Sequence, residues 1–534
     1  MFYLKETSIE WAMKHLRTYY DSDFFPKILE FTAIMHDWKS IKAYISKINL
    51  LEYSAHSPII CLAPKKNNNF RVVHQLDPID SIIYTALIYE IADKVEKFRI
   101  PKEKKNVYSY RILPDSNGSL FESEVGWTDF TKRTKELCEE YIDGYVIVAD
   151  ITAFYNQIYT SNIKNLIDEA ANGELNGHAK VVEKFINDLN RQTARGIPVG
   201  PAPSIILSEI VMGDVDRKIL EYTSDFVRYV DDMRIFFKDK KGAIEAMHGI
   251  SKYLYSSHRL VFASSKTELV SVQDFLNNYK EDEENQEEIV KNSIKTELLD
   301  EKLQIIFEDI YKESPYSFFN SRLPHDAIKT YGITEEEEAE ILENCYFTIL
   351  KSLLDEENLN YSFIRYIIKK ATKFRVSNLV ETILDKFDFF MPVIREISIY
   401  LKTVLDTELI IKYEEQLKNI WFSPYIDIEY INRWISFLFQ HDNFIEFNRN
   451  NLDLKSVKSV RDKAIFAYKL RNTSWFRDYR DGVEQLASWD KRAVLYASSV
   501  LPYSEMKEWV TSVASAGDII DKAIAAYIVD KFKP

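Results

Sequence analysis

The distribution of glycine along this 534-residue chain limits its fold more than any other single feature. Ten of the 13 glycines lie before residue 250, and only three follow. Because tight turns between strands often need glycine, the first half of the chain can connect strands, whereas the second half has few such turns. Apolar residues in the second half recur at helical spacing, as in Ile364, Ile367 and Ile368. We therefore predict a mixed α/β N-terminal half followed by an all-α C-terminal half.

The chain is long enough for two or three domains, and its 46% of hydrophobic residues can supply their cores. An acidic run at 281–288 is typical of a solvated linker or an exposed helix face, and we place the main boundary there. This predicts an α/β domain at 1–275 and a helical domain at 290–534. In the second domain, Thr334 and Glu337 have the spacing of a capping box, and HEAT-like stacking of helix pairs is one arrangement that its helices could adopt.

Cysteine and hydropathy patterns narrow the class of protein. The three cysteines, Cys61, Cys138 and Cys345, are far apart and have no metal-binding spacing, so a disulfide framework is not expected. The N-terminus lacks the charged and apolar segments of a signal peptide, and the apolar stretches are too short to cross a bilayer. We expect a soluble cytoplasmic protein that does not use a membrane.

An aspartate ends a segment that is predicted to be a buried strand. Residues 145–149 form an apolar, β-branched run, and Asp150 follows directly. A carboxylate at the end of a buried strand is costly to desolvate unless a positive charge meets it. A metal ion would be a suitable partner for Asp150.

Two adjacent aspartates, Asp231 and Asp232, lie between two apolar runs at 226–230 and 233–237. This pattern predicts a strand–turn–strand hairpin with both carboxylates at its bend. Neighbouring like charges repel, and a bound cation relieves that repulsion. The alternative is an ordinary exposed turn, in which aspartate is common.

A loop rich in glycine and proline, residues 196–204, lies between these two segments in the sequence. Such a loop lets the backbone approach a substrate closely, and Ser204 could cap the helix that follows. The alternative is a plain connecting loop. Together, however, the three segments predict a pair of magnesium ions held by hard oxygen ligands, with Mn²⁺ as a substitute. Two such ions activate an attacking hydroxyl and stabilise a leaving pyrophosphate.

The same segments resemble the motifs of reverse transcriptases. Tyr229-Val-Asp-Asp232 is similar to the Y-x-D-D box, and Asp150 with Phe154 and Tyr155 is similar to the first palm motif. Further segments resemble the palm loop, the later palm lysine segment and the fingers motifs: 196–204, 265–267, 71–78 and 109–111. The resemblance covers roughly residues 60 to 270 and implies reverse-transcriptase-like fingers and palm, with mixed α-helix and antiparallel sheet.

The resemblance also implies roles for residues at the metal site. Asp150 and Asp231 would be the main metal ligands and Asp232 an assisting one, with the backbone carbonyl of Ile151 nearby. Tyr155 falls at the steric-gate position, where an aromatic ring would clash with a ribose 2′-hydroxyl and so favour deoxynucleotides. The alternative for Tyr155 is a core aromatic.

Other implied contacts concern the nucleotide. Lys65, Lys66 and Arg71 would meet the triphosphate from the fingers, and the alternative is a solvated basic loop. Lys266 would protonate or orient the leaving pyrophosphate, unless it is a plain surface lysine. Two loop residues, Gly196 and Gly200, would lie against the nucleotide.

The sequence departs from typical reverse transcriptases in three ways. Arg195 and Val199 stand where those enzymes often carry glutamine, and no clear primer-grip hairpin follows Lys266. The net charge of −14 is also unusual for an enzyme that grips a duplex, since phosphate contacts demand a basic surface. These features argue against processive copying of a duplex, whereas the predicted metal ligands are intact.

The extended segments 150–159 and 195–200 resemble those of bacterial abortive-infection (Abi) and related phage-defence polymerases. That resemblance implies a large α-helical repeat-like domain in place of a thumb and a homo-oligomer. It also implies untemplated synthesis of single-stranded DNA from deoxynucleoside triphosphates, primed by a tyrosine of the protein and so covalently attached to it, in response to an unknown phage trigger. Among 33 tyrosines, Tyr19, Tyr20 and Tyr44 precede the fingers and are candidates for priming.

Two other functions stay open. One is an RNA-templated reverse transcriptase that uses a bound noncoding RNA, which predicts a basic groove. The other is a non-catalytic scaffold in phage defence. The presence of all three carboxylates, Asp150, Asp231 and Asp232, argues against the scaffold.

Overall fold

The structure, a computed structural model, describes residues 1–66, 69–123, 125–278 and 361–534, together with residues 350 and 354. The chain divides into two compact units. The first unit comprises Met1–Asp23, Ile48–Ile60 and Val72–Thr334. The second comprises Phe24–Lys47, Cys61–Arg71 and Glu335–Pro534, so that two short segments of the N-terminal half group with the C-terminal residues.

The described strands form two sheets. In chain order they are β1 (Ile59–Pro64), β2 (Phe70–Gln75), β3 (Tyr145–Ala149), β4 (Phe226–Tyr229), β5 (Asp232–Phe237) and β6 (Glu268–Ser271). β1 and β2 make a two-stranded sheet, and the other four form a sheet with the order β4-β5-β3-β6. All pairs in the larger sheet are antiparallel, with Ala149 opposite Met233 and Tyr229 opposite Asp232.

Ten α-helices precede residue 272 in the described part of the chain. They are α1 (Glu6–Tyr19), α2 (Glu30–His36), α3 (Trp38–Ile45), α4 (Pro78–Phe98), α5 (Trp127–Glu140), α6 (Phe154–Gln157), α7 (Thr160–Ala170), α8 (Asn176–Leu189), α9 (Pro203–Leu220) and α10 (Lys240–Tyr253). α4 and α9 are buried on nearly every side, as their apolar residues all round the helix require. The Asp77 carboxylate accepts the Ile79 N–H at the start of α4, and Pro78 occupies the first helical position.

The described elements from residue 361 to 534 are all helical. They are α11 (Tyr361–Phe374), α12 (Val380–Asp385), α13 (Ile394–Val404), α14 (Thr407–Lys412), α15 (Glu414–Trp421), α16 (Glu429–Phe439), α17 (Ile445–Asn451), α18 (Val460–Leu470), α19 (Thr473–Tyr479), α20 (Ser488–Ala497), α21 (Tyr503–Ser515) and α22 (Ile519–Lys531). Ile364, Ile367 and Ile368 are fully buried, as their helical spacing predicts. HEAT-like stacking of these helices stays a prediction.

The predicted fold class is confirmed, since mixed α-helix and antiparallel sheet precede a large helical region. Within the described residues, no helix is both long and apolar enough to cross a bilayer. The acidic run at 281–288 and the predicted capping box of Thr334 and Glu337 lie outside the described residues. The domain boundary between 275 and 290 therefore stays a prediction.

A substitution at Gly200 can test how closely the first unit is packed around this residue. Its φ of +126° disfavours any L side chain, and a Cβ there would lie 2.5 Å from Ser22 Oγ. We expect Gly200→Ala to lower the free energy of unfolding by about 3 kcal/mol. Gly173 (φ +81°) has open space around it, so Gly173→Ala should cost only about 1–2 kcal/mol of backbone strain. Equal losses in urea denaturation would contradict the close contact at Gly200.

Candidate active site

The antiparallel sheet brings the predicted carboxylates to one end. Ala149 at the end of β3 lies opposite Met233, and Asp150 follows it directly. β5 begins at Asp232, so Val230 and Asp231 form the two-residue bend between β4 and β5. The predicted hairpin is therefore present, with Asp231 in the bend and Asp232 as the first residue of β5, and the end of β3 is next to this bend.

Lys266 lies beside Asp150 and within electrostatic range of Asp231 and Asp232. Its Nζ lies 2.5 Å from Asp150 Oδ2. Burial lowers the pKa of Lys266, but the hydrogen bond with Asp150 and the charges of Asp150, Asp232 and Asp231 outweigh it and raise the pKa above its usual value. The ammonium group thus lies in the field of all three carboxylates and supplies the positive charge that such a cluster requires.

The donor atoms around Asp150 suit a magnesium ion. An isolated bridge pairs Ile151 with Phe262, and its two hydrogen bonds use the Asp150 carbonyl and the Thr152 N–H rather than the Ile151 carbonyl. Carboxylate oxygens together with a backbone carbonyl are the hard ligands that Mg²⁺ prefers. Asp150, Asp231 and Ile151 therefore fit the metal-ligand roles that the sequence predicts, with Asp232 beside them.

A second group of potential ligands lies at the start of α4, and one member, Asp77, belongs to the predicted fingers motif at 71–78. One ligand atom each from His56, Asp77 and Asp80 lies within 4.8 Å of the others. The Asp80 carboxylate accepts hydrogen bonds from the Tyr53 hydroxyl at 2.7 Å and the His56 N–H at 2.8 Å, and it lies 3.0 Å from the His56 Nδ1. These contacts account for the cluster as a hydrogen-bonded helix start.

Tyr155 lies in α6, next to the carboxylate site. Its hydroxyl accepts a hydrogen bond from Ser208 Oγ at 3.2 Å, and its ring is half-buried. Burial raises the pKa of Tyr155 above its usual range, and the nearby charge of Asp231 adds to the effect. The ring thus lies within electrostatic range of a predicted metal ligand, and its role as a steric gate stays a prediction.

Hydrogen bonds on both sides hold the loop that begins at Gly196. The Gly196 N–H donates to the Ile158 carbonyl at 2.8 Å, and the Ile197 N–H donates to the Tyr155 carbonyl at 2.9 Å. On the other side, the His74 N–H donates to the Val199 carbonyl at 2.8 Å, and the Val199 N–H donates to His74 Nδ1 at 3.1 Å. The N–H groups of Gly196, Ile197 and Val199 thus all donate to residues outside the loop. These hydrogen bonds fix the position of the loop next to Tyr155.

The prediction that Ser204 caps α9 is wrong. The helix begins at Pro203 with Ala202 as its N-cap residue and has no side-chain cap. Ser204 is already the second helical residue, and its hydroxyl shares a hydrogen bond of 2.9 Å with the buried Tyr84 hydroxyl. The Ser204 side chain therefore links α9 to α4.

The three basic residues that are predicted to meet the triphosphate do not belong to the same compact unit as the carboxylates. Lys65 and Lys66 are exposed beside the end of β1, and Arg71 is half-buried in β2. All three group with the second unit. Their contact with the triphosphate stays a prediction.

The three candidate priming tyrosines occupy different environments. Tyr19 ends α1, is half-buried and stacks on His15 with ring centroids 5.3 Å apart. Tyr20 follows it with a φ of +63°. Tyr44 lies in α3 of the second unit and is 42% exposed. Their priming role stays a prediction.

A buried charge network behind the bend was not predicted from the sequence. Arg228 lies one residue before Tyr229 and contacts Glu209 and Asp216 of α9. Two signals in the sequence could have revealed it: an arginine inside an apolar strand, and two acidic residues seven apart, hence on one face, in an apolar helix.

The comparisons with known proteins agree with this geometry. A family model described as reverse transcriptase (RNA-dependent DNA polymerase) matches residues 63–307. The matched residues form a reverse-transcriptase-like nucleotidyltransferase domain. The matched range includes all three carboxylates, the palm loop and Lys266. The predicted enzyme class is thereby confirmed, whereas membership of the abortive-infection subgroup stays a prediction.

Solved structures similar to this chain include two telomerases. The telomerase of Candida albicans, in complex with the TWJ fragment of telomeric RNA, is 14% identical with a TM-score of 0.32, over 75% of this chain and 70% of that chain. The apo telomerase of Candida tropicalis is 12% identical with a TM-score of 0.33, over 88% of this chain and 73% of that chain. No curated protein sequence matches this chain.

The palm loop should make stability depend on pH through His74. Burial lowers the pKa of His74 from 6.5 to about 4, so its neutral Nδ1 accepts the Val199 N–H at pH 7. As the pH falls from 6.5 towards 4, the unfolded chain takes up this proton before the folded one, and up to about 3 kcal/mol of stability is lost.

The measurement is urea denaturation of the wild type and of His74→Gln, which cannot titrate, between pH 7.5 and 4.5. We expect the stability advantage of the wild type over His74→Gln to shrink as the pH falls. The exposed His248→Gln is the control and should follow the wild-type profile. Parallel profiles for the wild type and His74→Gln would contradict the depressed pKa.

Proposed function

We propose that this protein synthesises DNA from deoxynucleoside triphosphates in anti-phage abortive infection, without a template and from a tyrosine primer in the protein. The observation that carries the catalytic part is the strand pairing that brings Asp150 next to the bend at Asp231 and Asp232, with Lys266 bonded to Asp150, inside the range that matches reverse transcriptases. The defence role, the priming and the oligomeric state rest on the resemblance of segments 150–159 and 195–200.

The carboxylates of Asp150 and Asp231, the Ile151 carbonyl and the assisting Asp232 would hold the ions. When bound, magnesium lowers the pKa of the attacking hydroxyl and neutralises charge on the leaving pyrophosphate. The ammonium group of Lys266 lies beside Asp150 and could donate a proton to the leaving pyrophosphate. Tyr155 occupies the space in which a ribose 2′-hydroxyl would lie.

The palm loop supports synthesis without a template. Arg195 and Val199 replace the glutamines that are often found there. The Val199 N–H and carbonyl are both bonded to His74, and Arg195 is exposed, with its guanidinium 5.6 Å from the centre of the Tyr159 ring. A loop bonded in this way has less to offer a template strand than one with amide side chains at both positions.

The acidity of the chain is no objection to nucleic-acid chemistry. Residues 279–360 contain 8 Lys and Arg against 22 Asp and Glu, a net charge of −14 that equals that of the whole chain. Residues 1–278 contain 35 Lys and Arg against 38 Asp and Glu. The region with the catalytic carboxylates is therefore close to neutral.

The main test is incubation of the nucleic-acid-free protein with magnesium and labelled deoxynucleotides, without template or primer. We expect label that migrates with the protein on a denaturing gel until protease releases it. Asp231→Asn with Asp232→Asn removes two metal-ligand charges at constant shape, and activity should fall by at least about 1000-fold. Full incorporation by this double variant would refute the catalytic assignment.

The alternative of RNA-templated synthesis is favoured by the description of the matching family model as an RNA-dependent DNA polymerase. It predicts label only when RNA and a primer are supplied, with product free of protein. If the protein becomes labelled, Tyr19→Phe, Tyr20→Phe and Tyr44→Phe then locate the attachment. Loss of labelling in one variant, with elongation of an added primer retained, would identify the priming residue.

Sugar selection provides a separate test. Tyr155→Ala opens the space beside Asp231, and we expect the ratio of ribonucleotide to deoxynucleotide incorporation to rise by at least about 10-fold. Ser208→Ala removes the hydrogen-bond partner of Tyr155 but leaves the ring, and it should change the ratio little. Equal ratios in Tyr155→Ala and the wild type would show that the ring is only a core aromatic.

A further inference from the structure

Arg228 connects the hairpin bend to α9 through every nitrogen of its guanidinium. Nε and Nη2 donate to the two Asp216 oxygens, each at 2.7 Å. Nη1 and Nη2 donate to the two Glu209 oxygens at 3.1 and 2.9 Å. Nη1 also donates to the Val230 carbonyl at 2.8 Å. The side chain is 0% exposed, so these contacts replace all of its hydration.

The two α9 carboxylates that Arg228 contacts are equally inaccessible to water, and a second arginine binds one of them. Glu209 and Asp216 are both 0% exposed, and Arg99 Nη2 lies 2.7 Å from Glu209 Oε2. The Ser109 hydroxyl donates to Glu209 Oε1 at 2.7 Å. Although burial raises the pKa of Glu209, the charges of Arg228 and Arg99 lower it below its ordinary value, so the carboxylate is ionised.

Val230, whose carbonyl accepts a hydrogen bond from Arg228, has a strained backbone conformation. Val230 has a φ of +55°, in the left-handed region that β-branched residues avoid. A hairpin turn with positive φ at this position usually has glycine there. Such a conformation costs about 1–3 kcal/mol and persists only when the surrounding structure enforces it. The Arg228 bond to the Val230 carbonyl acts on the peptide that joins Val230 to Asp231.

We infer that Arg228 is a positioning residue for nucleotidyl transfer. It fixes the Val230–Asp231 peptide to α9 and so keeps the Asp231 carboxylate next to Asp150. The neighbouring residue on α9, Ser208, donates to Tyr155, so one helix sets the places of both the bend and the steric gate. This inference rests on the proposed catalytic role of Asp150 and Asp231.

Arg228→Lys is the informative substitution. An ammonium keeps the charge, but it cannot serve two carboxylates and a carbonyl with fork geometry. Arg492→Lys is the matched control, because Arg492 is 1% exposed and donates to Asp518 at 2.9 Å in the helical second unit. Hydrogen exchange followed by mass spectrometry of a peptide covering 226–237 reports on the bend, and steady-state incorporation of deoxynucleotide separates kcat from KM.

We expect Arg228→Lys to accelerate exchange at 226–237 and to lower kcat by about 100-fold, the cost of a misplacement near 1 Å, with KM changed less than about 3-fold. Arg492→Lys should do neither. Equal effects of the two variants would overturn the inference. If Arg228→Lys does not fold, Asp216→Asn, which weakens the same link at constant shape, has the same expected results.

A rescue experiment separates positioning from general stability. Glycine adopts a positive φ without strain, so Val230→Gly in the Arg228→Lys background should recover at least about 10-fold of the lost kcat. A double variant as slow as Arg228→Lys would contradict the inference. Failure of the proposed function is distinct: Asp231→Asn would then retain activity, while the exchange experiment would still show whether Arg228 holds the bend.

Discussion

The guanidinium of Arg228, buried between α9 and the β4–β5 hairpin, is the contact on which the catalytic end of the sheet depends. A buried charge is expensive, and removing one partner of a buried ion pair typically costs about 3–5 kcal/mol because the other is left without compensation. Here Glu209 and Asp216 compensate the charge of Arg228, and Arg99 provides a second positive charge next to Glu209. Apolar residues could stabilise the same contact, but they could not donate to the Val230 carbonyl.

This network explains why α9 is buried on nearly every side and yet has acidic residues on one face. The helix links several parts of the site: Ser204 pairs with Tyr84 of α4, Ser208 with Tyr155, and the two carboxylates with Arg228. The polar atoms of α9 thus meet partners that belong to different motifs. The relative position of those motifs follows from one rigid element, and loops need only connect them.

In contrast to this buried network, the residues at the edge of the site are accessible to solvent. Lys266 reaches Asp150 from a side chain that is 64% exposed, and Asp231 and Asp232 are half-buried. This accessibility is what the proposed binding of metal ions and nucleotide at these residues requires. The buried network behind them does not take part in that binding. The residues proposed for the chemistry are therefore accessible, whereas different, buried residues hold the bend in place.

The sequence alone was sufficient for the strand that ends at Asp150, the hairpin at Asp231 and Asp232, and the helical C-terminal region. These are local patterns, because apolar periodicity and a pair of aspartates at a bend need no distant partner to be recognised. The placement of Ser204 could not be obtained in this way, because the choice between capping α9 and bonding Tyr84 depends on where α4 lies.

The role of Arg228 was likewise decided only by tertiary structure. In the sequence it is a charged residue in an apolar strand, and its partners on α9 are 12 and 19 residues away. The left-handed conformation of Val230 and the ammonium of Lys266 at Asp150 also arise from contacts between distant segments. The sequence by itself predicted which residues would bear the chemistry. Only the fold determined which buried charges hold them in place, because the cost of burying a charge depends on the partners that the whole chain brings to it.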